Sequence, residues 1–213
     1  MGTITIIGNG NMARGIGTRA VAAGRRVEIL GQDMAKAQSL ADELGSGSTA
    51  GTIEQAPTGD VVVLALPYDA AKSVVSGYGA ALEGKTIVDI TNPVNFETFD
   101  SLVVGPGTSA AEELAALAPA GANVVKAFNT TFAGTLVAGE VAGAPLDVFI
   151  AGDDASATAA VSSLAADAGM RPIAVGALKR ARELEGFQFL VMTLQANPAF
   201  ETFNWNTGLK ITV

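Results

Sequence analysis

Gly8-Asn9-Gly10-Asn11-Met12-Ala13 is a GxGxxA run set directly after the β-branched stretch Thr3 to Ile7. Glycines at this spacing suit a diphosphate. Gly8 permits a tight turn, Gly10 lets the backbone approach a ligand with no Cβ in the way, and Ala13 allows a helix to pack closely on a strand. The free N–H groups at the head of that helix, around Asn9, Asn11 and Met12, stand at its positive end, where an anion is stabilised. Ordinary loop glycines can produce such a run. Here, however, a strand, a helix and a second strand, Val27 to Leu30, stand where the fingerprint requires them. The run predicts a dinucleotide.

The end of the second strand, Leu30-Gly31-Gln32-Asp33-Met34-Ala35-Lys36, bears on which dinucleotide binds. Asp33 lies 20 residues beyond Ala13, where an acid holds a ribose 2′-hydroxyl and repels a 2′-phosphate. Asp33 is equally the best cap for the helix that follows, and Lys36 is near enough to reach a 2′-phosphate. Gln32, Asp33 and Lys36 therefore leave NADP and NAD both open.

With no cysteine and no histidine in 213 residues, the chain has no disulfide, no Cys/His zinc site, no thiolate nucleophile and no Ser-His-Asp triad. Candidates for moving a proton shrink to Lys126, Tyr68, Tyr78 and the carboxyl groups, with Lys126 a weak first choice because a strand-end lysine more often pairs with a carboxylate. Hydride transfer between cofactors needs no such residue, since the protein has only to hold two rings together and exclude water. Lys179, Arg180 and Arg182 form the densest basic cluster and are candidates for an anionic acceptor tail. Their alternative is surface ion pairing with Glu183 and Glu185.

A formal charge of −8 argues against nucleic-acid partners. The longest uncharged stretch, Gly186 to Phe200, has 15 residues, too few to span a bilayer. No signal-peptide pattern follows Met1. The expectation is a cytoplasmic protein with no membrane partner.

The elements that must position these residues follow from periodicity. Thr3 to Ile7, Val27 to Leu30, Val61 to Leu66, Thr86 to Ile90, Val124 to Ala127, Val148 to Ala151 and Pro172 to Val175 read as strands alternating with helices. The apolar run from Val61 to Leu66 does not alternate, as expected of a parallel strand covered on both faces. Met12, Ile16, Ala20 and Ala23 share one helical face that stops at Gly24; Asp33 caps a helix over Met34 to Leu44. Ser109 and Glu112 form a capping box for a helix to Leu117, and Asp153 or Asp154 caps a helix to Ala168. Gly45 to Thr52 reads as a mobile loop. The fold class is α/β, a doubly wound, mainly parallel sheet over residues 1–176. Residues 177–213 carry a small C-terminal segment: a helix from Lys179 to about Gln195, an aromatic stretch through Phe200, Phe203 and Trp205, and a strand-like end, Lys210 to Val213. Phe187, Leu190, Val191 and Leu194 are predicted to pack on the main domain, leaving Phe189 and Met192 for a partner subunit in a homodimer.

Six motifs occur in order: Gly8-Asn9-Gly10-Asn11-Met12, Ala65-Leu66-Pro67-Tyr68, Asp89-Ile90-Thr91-Asn92-Pro93, Val125-Lys126-Ala127-Phe128-Asn129-Thr130-Thr131, Ala151-Gly152-Asp153-Asp154 and Arg182-Glu183-Leu184-Glu185. Together they resemble the F420-dependent NADP oxidoreductase family, related to the cytosolic reductase domain of the six-transmembrane metalloreductases. The resemblance implies a Rossmann domain, a homodimer, and hydride transfer between NADP(H) or NAD(H) and a flavin or deazaflavin acceptor. It places Leu66, Pro67 and Tyr68 along the cofactor, Thr91, Asn92 and Pro93 beside its ribose-nicotinamide half, and Ala127, Asn129 and Thr130 against the nicotinamide ring. Pro67 can equally be a helix start and Asn92-Pro93 a turn. The chain departs from the family pattern at Gln32-Asp33, where archaeal members have a Ser-Arg pair, at Asn129, where some have histidine, and at Lys179 to Arg182. The expected activity is hydride transfer between the nicotinamide dinucleotide and a flavin-like, deazaflavin or ferric acceptor, and a dinucleotide-binding sensor without turnover and a small-carbonyl reductase are the alternatives.

Overall fold

The structure is a computed structural model and describes residues 2–212. The elements alternate through most of the chain: β1 (Thr3–Ile7), α1 (Asn11–Ala22), β2 (Arg26–Gly31), α2 (Met34–Leu44), β3 (Thr49–Thr52), β4 (Val61–Leu64), α3 (Tyr68–Tyr78), β5 (Thr86–Asp89), α4 (Ala110–Leu117) and β6 (Asn123–Lys126). They continue with α5 (Ala133–Ala138), β7 (Glu140–Val141), β8 (Ala144–Pro145), β9 (Asp147–Gly152), α6 (Ala155–Asp167), β10 (Arg171–Gly176) and α7 (Ala181–Ala196). Eight strands form one sheet in the order β10-β9-β6-β5-β4-β1-β2-β3. The strands from β3 through β6 run parallel; β9 meets β6 antiparallel and pairs parallel with β10.

Both faces of the sheet are buried, which is why its central strands do not alternate. Ile4, Ile6, Ile29, Val63 and Val88 face one layer with Ile16 and Leu136, while Ile7, Leu30, Val62, Leu64 and Ile87 face the other with Val75 and Leu114. Burying each such side chain contributes about 1.5–3 kcal/mol. The crossing point between strand pairs β1/β2 and β1/β4 opens a crevice at the carboxyl ends, where sheets of this type bind ligands.

The predicted caps form. Asp33 accepts from Lys36 N, Ser109 from Glu112 N, and Asp154, rather than Asp153, from Ala157 N. Asp153 instead accepts from Leu178 N at 3.0 Å, tying the last helical segment back to β9.

Four local expectations are corrected. Within the expected loop from Gly45 to Thr52, residues 49–52 form edge strand β3, because pairing with Glu28 through Gly31 outweighs a weak local β preference. The strand beginning at Val61 ends at Leu64, two residues short of the expectation, since Pro67 and the head of α3 follow at once. On α7 the buried face consists of Ala181, Leu184, Glu185, Gln188, Val191 and Gln195, so Phe187 and Leu190, expected inside, stand half exposed. Polar side chains can face inward there because distant partners meet them: Gln195 Oε1 accepts from Trp205 N at 2.9 Å and Thr207 Oγ1 at 3.0 Å.

The expected terminal strand does not form over residues 210–212, and Val213 lies outside the described residues. The tail is held by side chains instead. Lys210 Nζ and Ile211 N donate to the buried Asp147 carboxylate at 2.8 and 2.9 Å. Trp205 packs edge-on against Phe132 at 5.7 Å.

Candidate functional site

The GxGxxA turn lies at the carboxyl end of β1. Gly8 has φ +118°, and a Cβ there would stand 2.3 Å from the Ala65 carbonyl oxygen, so the turn itself demands glycine. Gly10 is different. Its φ is −87° and a Cβ would meet no atom within 4 Å, so the fold leaves room at this point for something other than protein. Among the described residues no side chain caps α1, unlike α2, α4 and α6, and the first turn of α1 carries no acid. The positive end of α1 is thereby open to an anion. Ala13 is fully buried, as close packing of α1 on the sheet requires.

A cleft of about 760 Å³ opens in front of this turn. Gly10, Asn11 and Met12 form one side, Leu66, Pro67 and Tyr68 a second, and Thr91, Asn92 and Pro93 a third, so the structure brings these three predicted groups together. Gln32 lies apart in a neighbouring depression of about 500 Å³ with Ile53, Glu54, Val74 and Tyr78. Asn9 bridges the two regions, its Nδ2 donating to the Asp33 carbonyl at 3.3 Å.

Asp33 performs the capping role. Its carboxylate accepts from Lys36 N at 3.1 Å and lies 3.6 Å from Lys36 Nζ, and these contacts hold it below the usual carboxylate range.

Ala127, Asn129 and Thr130 are buried beneath the cleft floor. Asn92 Nδ2 donates to the Asn129 carbonyl and Asn129 Nδ2 donates to Asn92 Oδ1, both at 3.0 Å, stitching together the loops after β5 and β6. Phe128 takes a left-handed φ of +61° between them. Thr91 Oγ1, Asn129 Oδ1 and Thr130 Oγ1 are buried without a hydrogen-bond partner. Such orphans are uncommon in folded proteins and cluster where a ligand or an ordered water completes the structure. A dinucleotide fits these features: the open helix head and Gly10 suit its diphosphate, and the loop oxygens suit its ribose-nicotinamide end.

Lys126, offered by the sequence as a weak catalytic candidate, is corrected to a buried structural cation. All three ammonium protons are committed, to Asp89 Oδ2 at 2.8 Å, the Thr91 carbonyl at 2.5 Å and Glu185 Oε1 at 2.7 Å. The Glu185 carboxylate also accepts from Ala110 N and Ala111 N at 2.9 and 3.3 Å. Burial pushes its pKa up, against the pull of Lys126.

The expected acceptor cluster of Lys179, Arg180 and Arg182 is not brought to the cleft. Arg180 pairs with Glu183 at 2.6 Å, and Arg182 forms a two-pronged pair with Glu112 at 2.5 and 2.8 Å. Fork-to-fork geometry of this kind commits one edge of the guanidinium. Tyr68 offers no free proton either. Its hydroxyl donates to Glu113, its ring lies 4.2 Å below Lys72 Nζ, and burial followed by the Glu113 contact raises its pKa far above the usual phenol range.

Sequence reasoning missed the outer wall, where Phe96, Glu97 and Val103 face Met192 of α7. The only signal in the sequence was the aromatic content of Asn95 to Phe99, which matches no motif.

Residues 3–93 match the family model described as NADP oxidoreductase, coenzyme F420-dependent. The F420-dependent NADP reductase of Methanothermobacter marburgensis is 29% identical over 221 residues, covering 96% of this chain and 95% of that protein. Metalloreductase STEAP3 of Rattus norvegicus is 32% identical over 182 residues, or 85% of this chain, which spans only 35% of that protein's length. A crystal structure from Arthrobacter sp. fb24, provisionally named an F420-dependent NADP-reductase, superimposes with a TM-score of 0.83 at 26% identity, covering 99% of this chain and 100% of that one. The glycine turn and the open head of α1 lie within the matched residues, and over nearly its whole length the chain is similar to the coenzyme F420-dependent NADP reductases.

Proposed function

We propose that this protein transfers hydride between NADP(H), or NAD(H), and a planar flavin-like or deazaflavin acceptor seated in the outer part of the cleft. The observation that carries this reading is the pairing of an uncapped α1 head beside Gly10 with an apolar wall across the same cleft. When bound, the reduced dinucleotide supplies a hydride, and the acceptor takes that hydride with one further proton from solvent. Gly10, Asn11 and Met12 hold the diphosphate, Leu66 and Pro67 flank the cofactor, and Thr91 with the Asn92 to Asn129 bridge orients its nicotinamide end. Gln32 lies toward the adenosine end. Carbonyl reduction is disfavoured, because Tyr68 is committed to Glu113 and Lys126 to its carboxylates.

A ferric acceptor is the second reading, favoured by the 32% identity to the metalloreductase. Titrating NADPH and NADH by fluorescence, then following their oxidation with flavins, ferric chelates and carbonyls, tests both readings. Flavin-dependent oxidation supports the first, oxidation by ferric chelates alone supports the second, and tight binding without turnover by any acceptor removes both in favour of a sensor.

We further propose that a second copy of the chain covers the half-exposed Phe187 and Leu190 of α7, beside an apolar groove that includes Leu184, Leu209 and Ile211. Light scattering at low micromolar concentration should report twice the chain mass, and a monomer there would remove the dimer.

A further inference from the structure

The outer wall of the cleft is carried by a constructed loop. Val94 and Leu102 pair antiparallel, Val103 N donates to the Pro93 carbonyl at 2.7 Å, and Asn95 N donates to the Ser101 carbonyl at 2.9 Å. Inside the loop Asn95 Oδ1 accepts from Glu97 N, and Phe99 N donates to the Asn95 carbonyl. Phe99 sits at φ +55°, a strained conformation for a bulky residue that costs about 1 kcal/mol or more. That geometry sets its ring 6.2 Å from Phe96 and 6.3 Å, edge-on, from Phe189 of α7. The result is a braced Phe96 that is nonetheless 69% exposed, with Val103 54% exposed beside it in the same cleft. Large apolar side chains held open in a cleft mark a surface waiting for an apolar ligand.

The charge of this wall is one-sided. The charged residues facing the cleft are Asp69 and Glu97, and Asp69 is offset by Lys72 at 3.1 Å. Among the described residues no lysine or arginine pairs with Glu97. Of the cations expected to receive an anionic tail, Arg180 and Arg182 are committed to Glu183 and Glu112, and Lys179 does not line the cleft. The whole chain carries −8.

From this we infer that Phe96 is the stacking residue of an acceptor subsite in which Glu97 excludes anionic tails, so that the preferred acceptor is a planar ring system bearing a neutral or cationic substituent. The inference rests on the hydride-transfer reading above and refines its acceptor. It departs from the acceptor of the family's description, whose tail carries phosphate and carboxylates. Stacking on Phe96 is indifferent to the tail, whereas the field at Glu97 acts on the tail alone.

Riboflavin and FMN share one ring and differ by a phosphate, so comparing them isolates the charge rule. Binding is read from quenching of flavin fluorescence, and turnover from NADPH oxidation. Riboflavin should bind about tenfold more tightly than FMN at low salt, and the gap should fall below about threefold near 0.5 M salt, where screening is short-ranged. Glu97→Gln should narrow the low-salt gap. Phe96→Ala should weaken both flavins alike by about tenfold, with Phe96→Trp restoring them. FMN binding as tightly as riboflavin, a gap indifferent to salt, or an inert Phe96→Ala change would each overturn the inference. Riboflavin binding without NADPH oxidation would support the subsite while overturning the hydride-transfer reading, and no binding of either flavin would overturn both.

Discussion

Lys126 Nζ and Glu185 Oε1 are 2.7 Å apart, with both side chains wholly buried, although 59 positions separate them in the chain. The pair joins the end of β6 to the inner face of α7, and through Asp89 and the Thr91 carbonyl it fixes the loop that floors the cleft. Removing Glu185 leaves Lys126 paired with Asp89 but takes the acceptor from one ammonium proton and from Ala110 N and Ala111 N. Glu185→Ala is expected to cost about 3 kcal/mol, because these buried donors lose their partner and a cavity opens. Glu185→Gln, which keeps the shape and can keep the contacts of one oxygen, to Lys126 Nζ and Ala111 N, while losing the one to Ala110 N, should cost less. Urea unfolding of the two variants checks this, and equal loss in both would mean that the shape and the remaining contacts contribute nothing beyond the charge.

Gly8 and Gly10 should respond oppositely to a side chain. Gly10→Val meets open space at an ordinary φ and should leave the fold intact while lowering dinucleotide affinity at least 100-fold, equivalent to about 2.7 kcal/mol. Gly8→Ala collides with the Ala65 carbonyl at positive φ and should destabilise the fold by about 3 kcal/mol or more. Thermal unfolding paired with NADPH titration separates the two. Unchanged NADPH affinity in Gly10→Val would remove the turn from the binding site.

Cofactor choice should be soft. Lys36 attracts a 2′-phosphate, but Asp33 sits 3.6 Å from that ammonium and opposes it. NADPH should be favoured over NADH by less than 100-fold, a span of about 2.7 kcal/mol. Asn caps a helix as well as Asp does, so Asp33→Asn should keep α2 while shifting the ratio toward NADPH by about fivefold. Dissociation constants for both dinucleotides in the two proteins decide the point, and an unchanged ratio would place the phosphate elsewhere.

Asp147 makes the tail sensitive to acid. Burial alone would raise its pKa, but hydrogen bonds from Arg171, Lys210 and Ile211 N outweigh it and hold the group at about 2, below the usual 3.8 of an aspartate. A folded-state pKa lower than the unfolded one gives stability that is fully present above 3.8 and is lost as pH falls toward about 2. The shift corresponds to roughly 2 kcal/mol. Asp147→Asn should therefore be the less stable protein at pH 7 and lose less of its stability between pH 4 and pH 2. Parallel pH curves for the two proteins would contradict the assignment.

Much of the α/β fold is legible in the sequence alone, and for a local reason. The GxGxxA turn, the Asp33, Ser109 and Asp154 caps and the apolar central strands depend on hydrogen bonds and periodicities that span only a few residues. Residues at those positions announce their roles. β3 did not, because Thr49 to Thr52 becomes a strand only by pairing with the edge of β2.

The site divides in the same way. Its cofactor side follows a motif, whereas its acceptor side is assembled from residues whose meaning depends on distant partners. Lys126 looked like a proton donor until Asp89 and Glu185 closed on it, and Arg182 looked like an anion receptor until Glu112 claimed it. The apolar stripe of α7 pointed Phe187 and Leu190 inward by periodicity. Glu185, paired with Lys126, and Gln195, accepting from Trp205 N, lie on the inner face instead, so that Phe187 and Leu190 face out and Met192 reaches the cleft. Periodicity weighs each side chain by its own hydrophobicity, and only the tertiary structure supplies the partner that makes burying a charge favourable.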